Sequence, residues 1–439
     1  EFFTQVSEEI IKGKLSSIHT NISFQKRWIV NTMKNFKEIL STPNILMEKS
    51  GEFKDKPAIL IAAGPSLNQE IENLRYIKEN GLAYLIAVGS AINTLVHNDI
   101  YPDAVTTYDP TDENQIVFEK VNNMGIYNIP MIFGTSVGYE TLEQYKGKKY
   151  HMITSQDPTS SYYLKAEKEQ YIRIVQDAPT IAVVTIQLLN ELGFNPIILT
   201  GQNLGYLGTN EYSEGVDYSS ELTEEELKNA LKVKNVYGED MLTNRGYNSM
   251  RNQIELYIKN LGNTKVINTT KGGANIEGAE FIELEKLMKD QLKENIVKKD
   301  WLEGNKTSYD REYLRKKLKS MDRAYNEALK ISRRSIDIIK KINKDISYKR
   351  ISNAENLYLK LDKEIIKMEK NDFYIRFLMP MNRVQYRMLA QNVQNLNEMK
   401  DPYEKGKKIV ASYGGLLAML NDDFRALKPI YADMKKAIE

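Results

Sequence analysis

Residues 58–67 read AILIAAGPSL, a run of six apolar residues followed by a glycine, a proline, a serine and a leucine. The apolar run predicts a buried strand, and Gly64-Pro65 predicts the turn that ends it. Ser66 is expected to cap a helix running towards Asn80. Glycine lets a phosphate approach the backbone, and the first turn of a helix attracts anions, so the stretch predicts a phosphate-binding loop. An ordinary strand-to-helix turn is the alternative, because neither a Walker lysine nor further fingerprint glycines follow.

The same pattern of a strand followed by a turn repeats through the middle of the chain. Further buried strands are predicted at 84–88, 104–108, 131–133, 151–154, 196–200 and 265–269. The ends of parallel strands share one edge of a sheet, so the groups after these strands should converge: Gly89-Ser90, Asp109-Pro110, Gly134-Thr135 and Gly201-Gln202-Asn203. Hydroxyls and amides without strong positive charge suit one phosphate better than a triphosphate. The predicted fold class is α/β, with a Rossmann-like, mostly parallel sheet in a central domain.

Length and charge predict more than one domain in the 439 residues. We expect a helical segment at 1–50, the α/β domain at 51–285 with a tyrosine-rich lid at about 205–247, and an all-helical domain at 286–439. The last of these holds 35 Lys and Arg against 22 Asp and Glu, whereas the rest of the chain holds 26 against 37. Residues 305–379 contain neither glycine nor proline, as expected of long helices.

Composition also excludes several classes of function. The chain has no cysteine, which excludes disulfides, thiolate metal sites and a cysteine nucleophile. No apolar run is long enough to cross a membrane, and the first residues lack secretory features, so we expect a cytoplasmic protein without a membrane partner. The basic residues are spread along helical faces, which disfavours nucleic acid as a partner.

The ordered motifs resemble the motility-associated factor (Maf) family, bacterial glycosyltransferases that load nonulosonic acids onto Ser/Thr hydroxyls of flagellin. The resemblance covers about residues 45–285 and is carried by residues 59–67, 86–91, 102–105, 109–110, 191–204 and 272–278. The Gly-Pro-Ser loop also resembles that of bacterial sialyltransferases, which use a CMP-sialic acid donor.

The resemblance implies a CMP-activated nonulosonic acid as donor, flagellin as acceptor bound by the helical domain, and no tightly bound cofactor. It places the donor phosphate near Gly64, Pro65 and Ser66. Asp109 would lie close to the reacting centre. The nucleotide edge and the crevice walls would be Gly89, Ser90, Asn93, Thr180, Gly201, Gln202 and Asn203, with Thr135 added by its strand-end position. Tyr206 and Tyr212 are placed like the sialyltransferase tyrosines that hydrogen-bond the departing phosphate.

Two departures from the family bear on the general base. The family often has Gly-Gln-Asp where this chain has Asn203, and the loop beyond lacks the histidine of many relatives. Asp109, Asp112 or Glu113 could serve instead, with Asp109 favoured by its position at a strand end. The same run could hold a divalent ion, although a solvated acidic turn at a helix start is the favoured interpretation and no metal site is predicted.

Two other functions stay open at this point. A related archaeal branch comprises 6-hydroxymethylpterin diphosphokinases, which transfer diphosphate from ATP and would need magnesium and carboxylates. A catalytically idle scaffold that binds flagellin is the other, because Asn203 and the missing histidine remove two expected groups.

Overall fold

The computed structural model of the chain describes residues 22–167, 171–218, 222–304, 306–389 and 399–439. The chain divides into two compact units. The helical unit takes the described parts of Glu1–Lys37, Gln156–Glu169 and Ser308–Glu439, and the sheet unit takes those of Glu38–Ser155 and Gln170–Thr307. The predicted division at residues 50 and 285 stays a prediction.

Strands are found in the sheet unit alone among the described elements. In chain order they are β1 (Ala58–Ile61), β2 (Tyr84–Val88), β3 (Ala104–Thr107), β4 (Met131–Gly134), β5 (Lys149–Met152), β6 (Ile197–Thr200), β7 (Leu231–Lys234), β8 (Asp240–Thr243), β9 (Val266–Asn268) and β10 (Glu280–Phe281). Eight of them form one sheet in the order β10-β9-β6-β1-β2-β3-β4-β5. Every neighbouring pair in it is parallel, which confirms the predicted α/β fold with a mostly parallel sheet.

The chain reverses its direction of travel across the sheet at β1. Ala58 pairs with Tyr84 of β2 on one side and with Ile197 of β6 on the other. Strands β2 to β5 extend the sheet one way, and β6, β9 and β10 extend it the other way. All four residues of β1 are buried, which explains why its sequence is a continuous apolar run. Ligands of such sheets bind at this reversal, beyond the carboxyl ends of the strands.

Helices join the strands and also build the helical unit. In chain order they are α1 (22–34), α2 (Phe36–Ser41), α3 (Ile45–Lys49), α4 (Ile71–Asn80), α5 (Ala91–His97), α6 (Glu119–Asn123), α7 (Tyr139–Gln144), α8 (Pro158–Tyr163), α9 (Ile181–Leu192), α10 (Glu224–Lys228), α11 (Arg245–Ile258), α12 (Leu284–Asp290), α13 (Arg311–Ser347), α14 (Ile351–Glu369), α15 (Met379–Met381), α16 (383–389) and α17 (Pro402–Ile438). Helix α9 packs across β1, β2, β3 and β6. Within the segment 1–50 that is expected to be helical, residues 22–34, 36–41 and 45–49 are in helices, and residues 1–21 lie outside the described residues.

The predicted lid has structure of its own. Strands β7 and β8 form an antiparallel hairpin whose turn contains Gly238 at φ 83°, and α10 precedes it. Helix α11 follows, with Asn244 as its N-cap accepting a hydrogen bond from the Tyr247 backbone N–H. The backbone N–H of Tyr206 donates to the carbonyl of Leu242, which ties the first lid residues to β8.

The helical unit is dominated by α13, α14 and α17. Helix α13 buries an apolar stripe at three-to-four spacing, which is the periodicity that predicted it. The core of the helical unit includes an aromatic cluster around Phe373. Its ring stacks on Phe424 with the ring centroids 5.8 Å apart and meets Tyr325 edge-on with the centroids 4.9 Å apart. Among the residues described, no helix is both long and apolar enough to span a bilayer.

His151 gives the sheet unit a predictable dependence on pH. Its ring is fully buried, its Nδ1 lies 2.9 Å from the Thr42 hydroxyl, and burial lowers its pKa to about 3. The pKa of a histidine in an unfolded chain is about 6.5. Between about pH 3 and pH 6.5 the imidazole is therefore protonated in the unfolded chain and neutral in the folded protein. The contribution of neutral His151 to the free energy of unfolding is therefore fully present above about pH 6.5. Below that pH it falls by about 1.4 kcal/mol per pH unit.

We expect His151→Gln to flatten this slope between about pH 6 and pH 4. The slope is measured by urea unfolding followed by tryptophan fluorescence in a Trp28→Phe background. The remaining tryptophan of the sequence, Trp301, belongs to the sheet unit. The same substitution at the exposed His97 is the matched control. Equal slopes for wild type and His151→Gln would contradict the assignment.

Candidate functional site

The loops after β1 and β6 meet at the point where the sheet reverses. The Gly64 backbone N–H donates to the carbonyl of Gly201 at 2.8 Å. The Asn203 side-chain oxygen accepts from the Ser66 backbone N–H at 3.2 Å and from the Ser66 hydroxyl at 2.8 Å. The structure therefore brings the predicted phosphate loop together with the Gly201-Gln202-Asn203 loop.

Ser66 holds this loop together instead of capping a helix. The residues after Gly64 form a 3-10 helix, Pro65–Glu70, whose N-cap is Gly64 and whose N-terminus has no side-chain cap. The prediction that Ser66 is the N-cap is therefore wrong. The physical reason is that the Ser66 hydroxyl is already hydrogen-bonded to Asn203. The residue is only 1% exposed.

Two amide atoms at the crevice are buried without a partner. Gln202 is 8% exposed and Asn203 is 2% exposed. The Gln202 Oε1 acceptor and the Asn203 Nδ2 donor have no hydrogen-bond partner among the residues that the structure describes. A buried polar group left without a partner costs about 1–3 kcal/mol, so each of these two atoms indicates a position where a ligand or water can bind.

The end of β2 supplies the neighbouring part of the crevice. Gly89 has φ 49°, and in the described part of the chain no atom outside its chain neighbours lies within 4 Å of the position that a Cβ would take. Ser90 is half-buried and accepts a hydrogen bond from the Tyr218 hydroxyl, which also interacts with the buried Asn93. The predicted nucleotide edge thus adjoins the phosphate loop, and Tyr218 is a residue that the sequence did not single out.

The first part of the lid is anchored to these strand ends. The Ser213 backbone N–H donates to the carbonyl of Ala63 at 2.9 Å, and its hydroxyl lies 2.7 Å from that of Thr94. Lys120 donates to the carbonyl of Gly215 at 3.0 Å. Residues 213–215 are therefore held against the end of β1, helix α5 and helix α6.

The lid and α11 share a network of hydroxyl, amide and carboxylate groups. The Tyr247 hydroxyl donates to Glu211 at 2.8 Å and is hydrogen-bonded to Tyr212. The Asn244 side chain donates to the Tyr206 hydroxyl at 2.8 Å. Burial raises the pKa of Tyr212. The pKa of Tyr247 is raised mainly by burial, and further by electrostatic interaction with Tyr212 and Glu211. Both side chains therefore remain hydroxyl donors at neutral pH.

Asp109 and Thr135 follow strands farther from the reversal. Asp109 is exposed, and its carboxylate accepts from the Thr111 backbone N–H at 2.9 Å and the Thr111 hydroxyl at 2.7 Å. It follows β3, two strands from β1, which is about 10 Å across the sheet. Thr135 follows β4 and is fully buried beside Thr154. The structure does not bring these two to the Ser66–Asn203 contact, and their roles stay predictions.

Thr180 caps α9, where its hydroxyl accepts from the Ala182 backbone N–H at 3.2 Å. The helix predicted from Thr180 to Leu192 is confirmed. The cap oxygen is used within the helix, so its predicted place in the crevice wall stays untested.

One lysine near the crevice is paired with a buried carboxylate. Lys271 lies after β9 and forms a 3.0 Å ion pair with Glu70, which is 1% exposed. Among the described residues, no group of three or more His, Cys, Asp or Glu side chains is arranged to hold a metal ion. The arrangement can donate hydrogen bonds to an anion, but its lysine already has a buried carboxylate partner.

The comparisons with known proteins agree with this architecture. A family model described as "6-hydroxymethylpterin diphosphokinase MptE-like" matches residues 30–209. Among solved structures, the chain is similar to the MAf glycosyltransferase from Magnetospirillum magneticum AMB-1, with a TM-score of 0.57 and 14% sequence identity. That similarity covers 94% of this chain and 62% of the other, so this chain spans less than two thirds of that protein's length. The shared property is the fold. No curated protein sequence matches the chain.

Proposed function

We propose that this chain is a glycosyltransferase whose donor is a CMP-activated nonulosonic acid. The observation that carries the proposal is the contact of Ser66 with Asn203 at the sheet reversal, beside two buried amide atoms without partners. Hydroxyls, amides and backbone N–H groups with little free positive charge fit the single phosphate of CMP. The similarity in fold to a MAf glycosyltransferase supports the same class of reaction.

In the proposed reaction, an acceptor hydroxyl replaces CMP at the anomeric carbon of the sugar. Negative charge grows on the CMP phosphate as its bond to the sugar breaks, and donors near Gly64, Pro65 and Ser66 would stabilise it. Tyr206 and Tyr212 belong to the lid and would add hydroxyl donors, and burial raises the pKa of Tyr212. No tightly bound cofactor is required. The proposed acceptor is a Ser or Thr of flagellin in the cytoplasm, bound by the helical unit.

A diphosphokinase is the second candidate, and the description of the matching family model favours it. Transfer of diphosphate from ATP needs positive charge or magnesium around the phosphates. Here Lys271 is paired with Glu70, and the carboxylate of Asp109 is used by its own turn. The observed charges therefore suit CMP better than ATP.

Ligand-dependent melting separates these candidates. We expect CMP at about 100 times its Kd to stabilise the sheet unit by about 2.7 kcal/mol. Ser66→Ala should remove most of this gain, because its hydroxyl holds the loop to Asn203. Ser41→Ala, whose exposed hydroxyl bonds the carbonyl of Glu38, is the matched control and should respond like wild type.

Three other results would speak against the proposal. ATP with magnesium raising the melting temperature while CMP leaves it unchanged would favour the diphosphokinase. A full CMP response in Ser66→Ala would place the nucleotide elsewhere. Glycosylation of flagellin that survives Ser66→Ala and Gly64→Ala would identify an idle pocket.

A further inference from the structure

We propose that Glu211 is the general base of the transfer, with Tyr247 as the positioning residue that holds its carboxylate. The inference rests on the proposed glycosyltransferase function. Glu211 is half-buried in the lid, and its Oε1 accepts a 2.8 Å hydrogen bond from the Tyr247 hydroxyl. Tyr247 lies in the first turn of α11, where its backbone N–H bonds the N-cap residue Asn244 at 2.8 Å. The carboxylate is therefore held by a rigid element instead of by a loop alone.

The anchoring of the lid places Glu211 beside the crevice. Ser213, two residues further on, is hydrogen-bonded to the carbonyl of Ala63 at the end of β1. Two residues span at most about 7 Å, so the backbone of Glu211 lies within that distance of the Ser213 anchor. Burial raises the pKa of Tyr218, and the Tyr212 hydroxyl, which is hydrogen-bonded to Tyr247, lies close enough to raise it further.

The network therefore extends from α11 to the nucleotide edge. Tyr247 links Glu211 to Tyr212, and Tyr218 next to Tyr212 is hydrogen-bonded to Ser90 at the end of β2. These contacts bring a carboxylate and three hydroxyls to one side of the crevice. A base near the nucleotide edge can reach an acceptor that approaches the sugar from the lid side.

The other titratable groups fit this role less well. The Asp109 carboxylate is engaged by Thr111 and lies after β3, two strands from β1. His151 is fully buried, and burial lowers its pKa to about 3. His97 is the last residue of α5, about 10 Å along that helix from the end of β2.

The proposed step balances as a single displacement. The acceptor hydroxyl gives its proton to the Glu211 carboxylate while its oxygen forms a bond to the anomeric carbon. The bond between that carbon and the phosphate oxygen breaks, and its electron pair leaves on CMP. The Glu211 carboxyl then returns its proton to water. Water itself can take the place of the acceptor hydroxyl, which gives slow hydrolysis of the donor.

Glu211→Gln tests the inference, because it keeps the size of the side chain and removes the base. CMP release is measured with CMP-activated sialic, legionaminic and pseudaminic acids, with water as acceptor. We expect kcat to fall by about 10²–10⁴-fold, the usual contribution of a general base. The Kd for CMP should stay within about twofold of wild type, because the substitution leaves the hydrogen bonds between Ser66 and Asn203 in place.

Tyr247→Phe removes the hydroxyl that holds Glu211 and that is also hydrogen-bonded to Tyr212. It should lower kcat by a smaller factor, on the order of 10-fold, and leave KM unchanged. Glu225→Gln, an exposed carboxylate on α10 in the same lid, is the matched control and should keep wild-type kcat. Formate added to Glu211→Ala should restore part of the lost rate, which a purely structural role would not allow.

Each result decides between the inference and the function on which it rests. Wild-type kcat in Glu211→Gln would overturn Glu211 as the base and leave the glycosyltransferase standing. Loss of CMP binding or of folding in Glu211→Gln, together with no rescue of Glu211→Ala by formate, would show a structural role and overturn the inference. A wild-type chain that binds no CMP and releases none from the three donors would overturn both.

Discussion

Gly64→Ala is expected to weaken CMP binding by at least about 100-fold, a larger effect than loss of one hydrogen bond. A Cβ at this position would overlap the Asn203 side-chain oxygen and the Gly201 carbonyl. The Gly201 carbonyl belongs to the backbone at the end of β6 and cannot rotate away. The ends of β1 and β6 would have to separate, and overpacking of this kind costs about 1–3 kcal/mol. Isothermal titration with CMP and urea unfolding measure the two effects.

The backbone angles at Gly64 show why space, and not conformation, requires glycine. Its φ of −67° and ψ of 156° are open to any residue. Gly262 provides the opposite case, since its φ is 66° and no atom lies near its would-be Cβ. Gly262→Ala should therefore cost about 1 kcal/mol of backbone strain and leave CMP affinity intact. Wild-type affinity in Gly64→Ala would remove the phosphate loop from the proposed site.

The strands were predictable because parallel strands buried on both faces must be continuous apolar runs. Residues 58–61 and 84–88 are buried at every position, and both runs were identified in the sequence. The convergence of the loops after these strands was predictable because the carboxyl ends of parallel strands lie at the same edge of the sheet. The hairpin of β7 and β8 was missed, because its half-exposed LKVK alternation lies within a segment dominated by polar residues.

Contacts between distant residues could not be predicted from local pattern. Ser66 has the residue type and the position of a helix cap, but a partner 137 residues away takes its hydroxyl. Glu211 and Tyr247 are 36 residues apart and meet because the lid contacts the first turn of α11. Their signal in the sequence was weak, since 27 tyrosines make any one of them unremarkable as a candidate.

Asn203 carries two separable roles, and two substitutions are expected to distinguish them. Its Oδ1 accepts both hydrogen bonds from Ser66, whereas its Nδ2 is buried without a described partner. Asn203→Ala leaves two buried donors unpaired, which should cost about 2–6 kcal/mol of stability and abolish measurable CMP binding. Asn203→Asp keeps the acceptor for Ser66 and should lose less stability than Asn203→Ala, because the hydrogen bonds from Ser66 offset part of the cost of a carboxylate at this 2% exposed position.

The aspartate would nevertheless face the ligand with a negative oxygen in place of an amide donor. If Nδ2 donates to the CMP phosphate, Asn203→Asp should weaken CMP binding by about 10–100-fold, because a charge-assisted hydrogen bond becomes a repulsion. Titration with cytidine, which lacks the phosphate, distinguishes repulsion of the phosphate from a distorted loop. If repulsion is the cause, the affinity for cytidine should change little. Equal loss for CMP and cytidine would instead indicate a distorted loop, and unchanged CMP affinity would mean that this amide does not contact the phosphate.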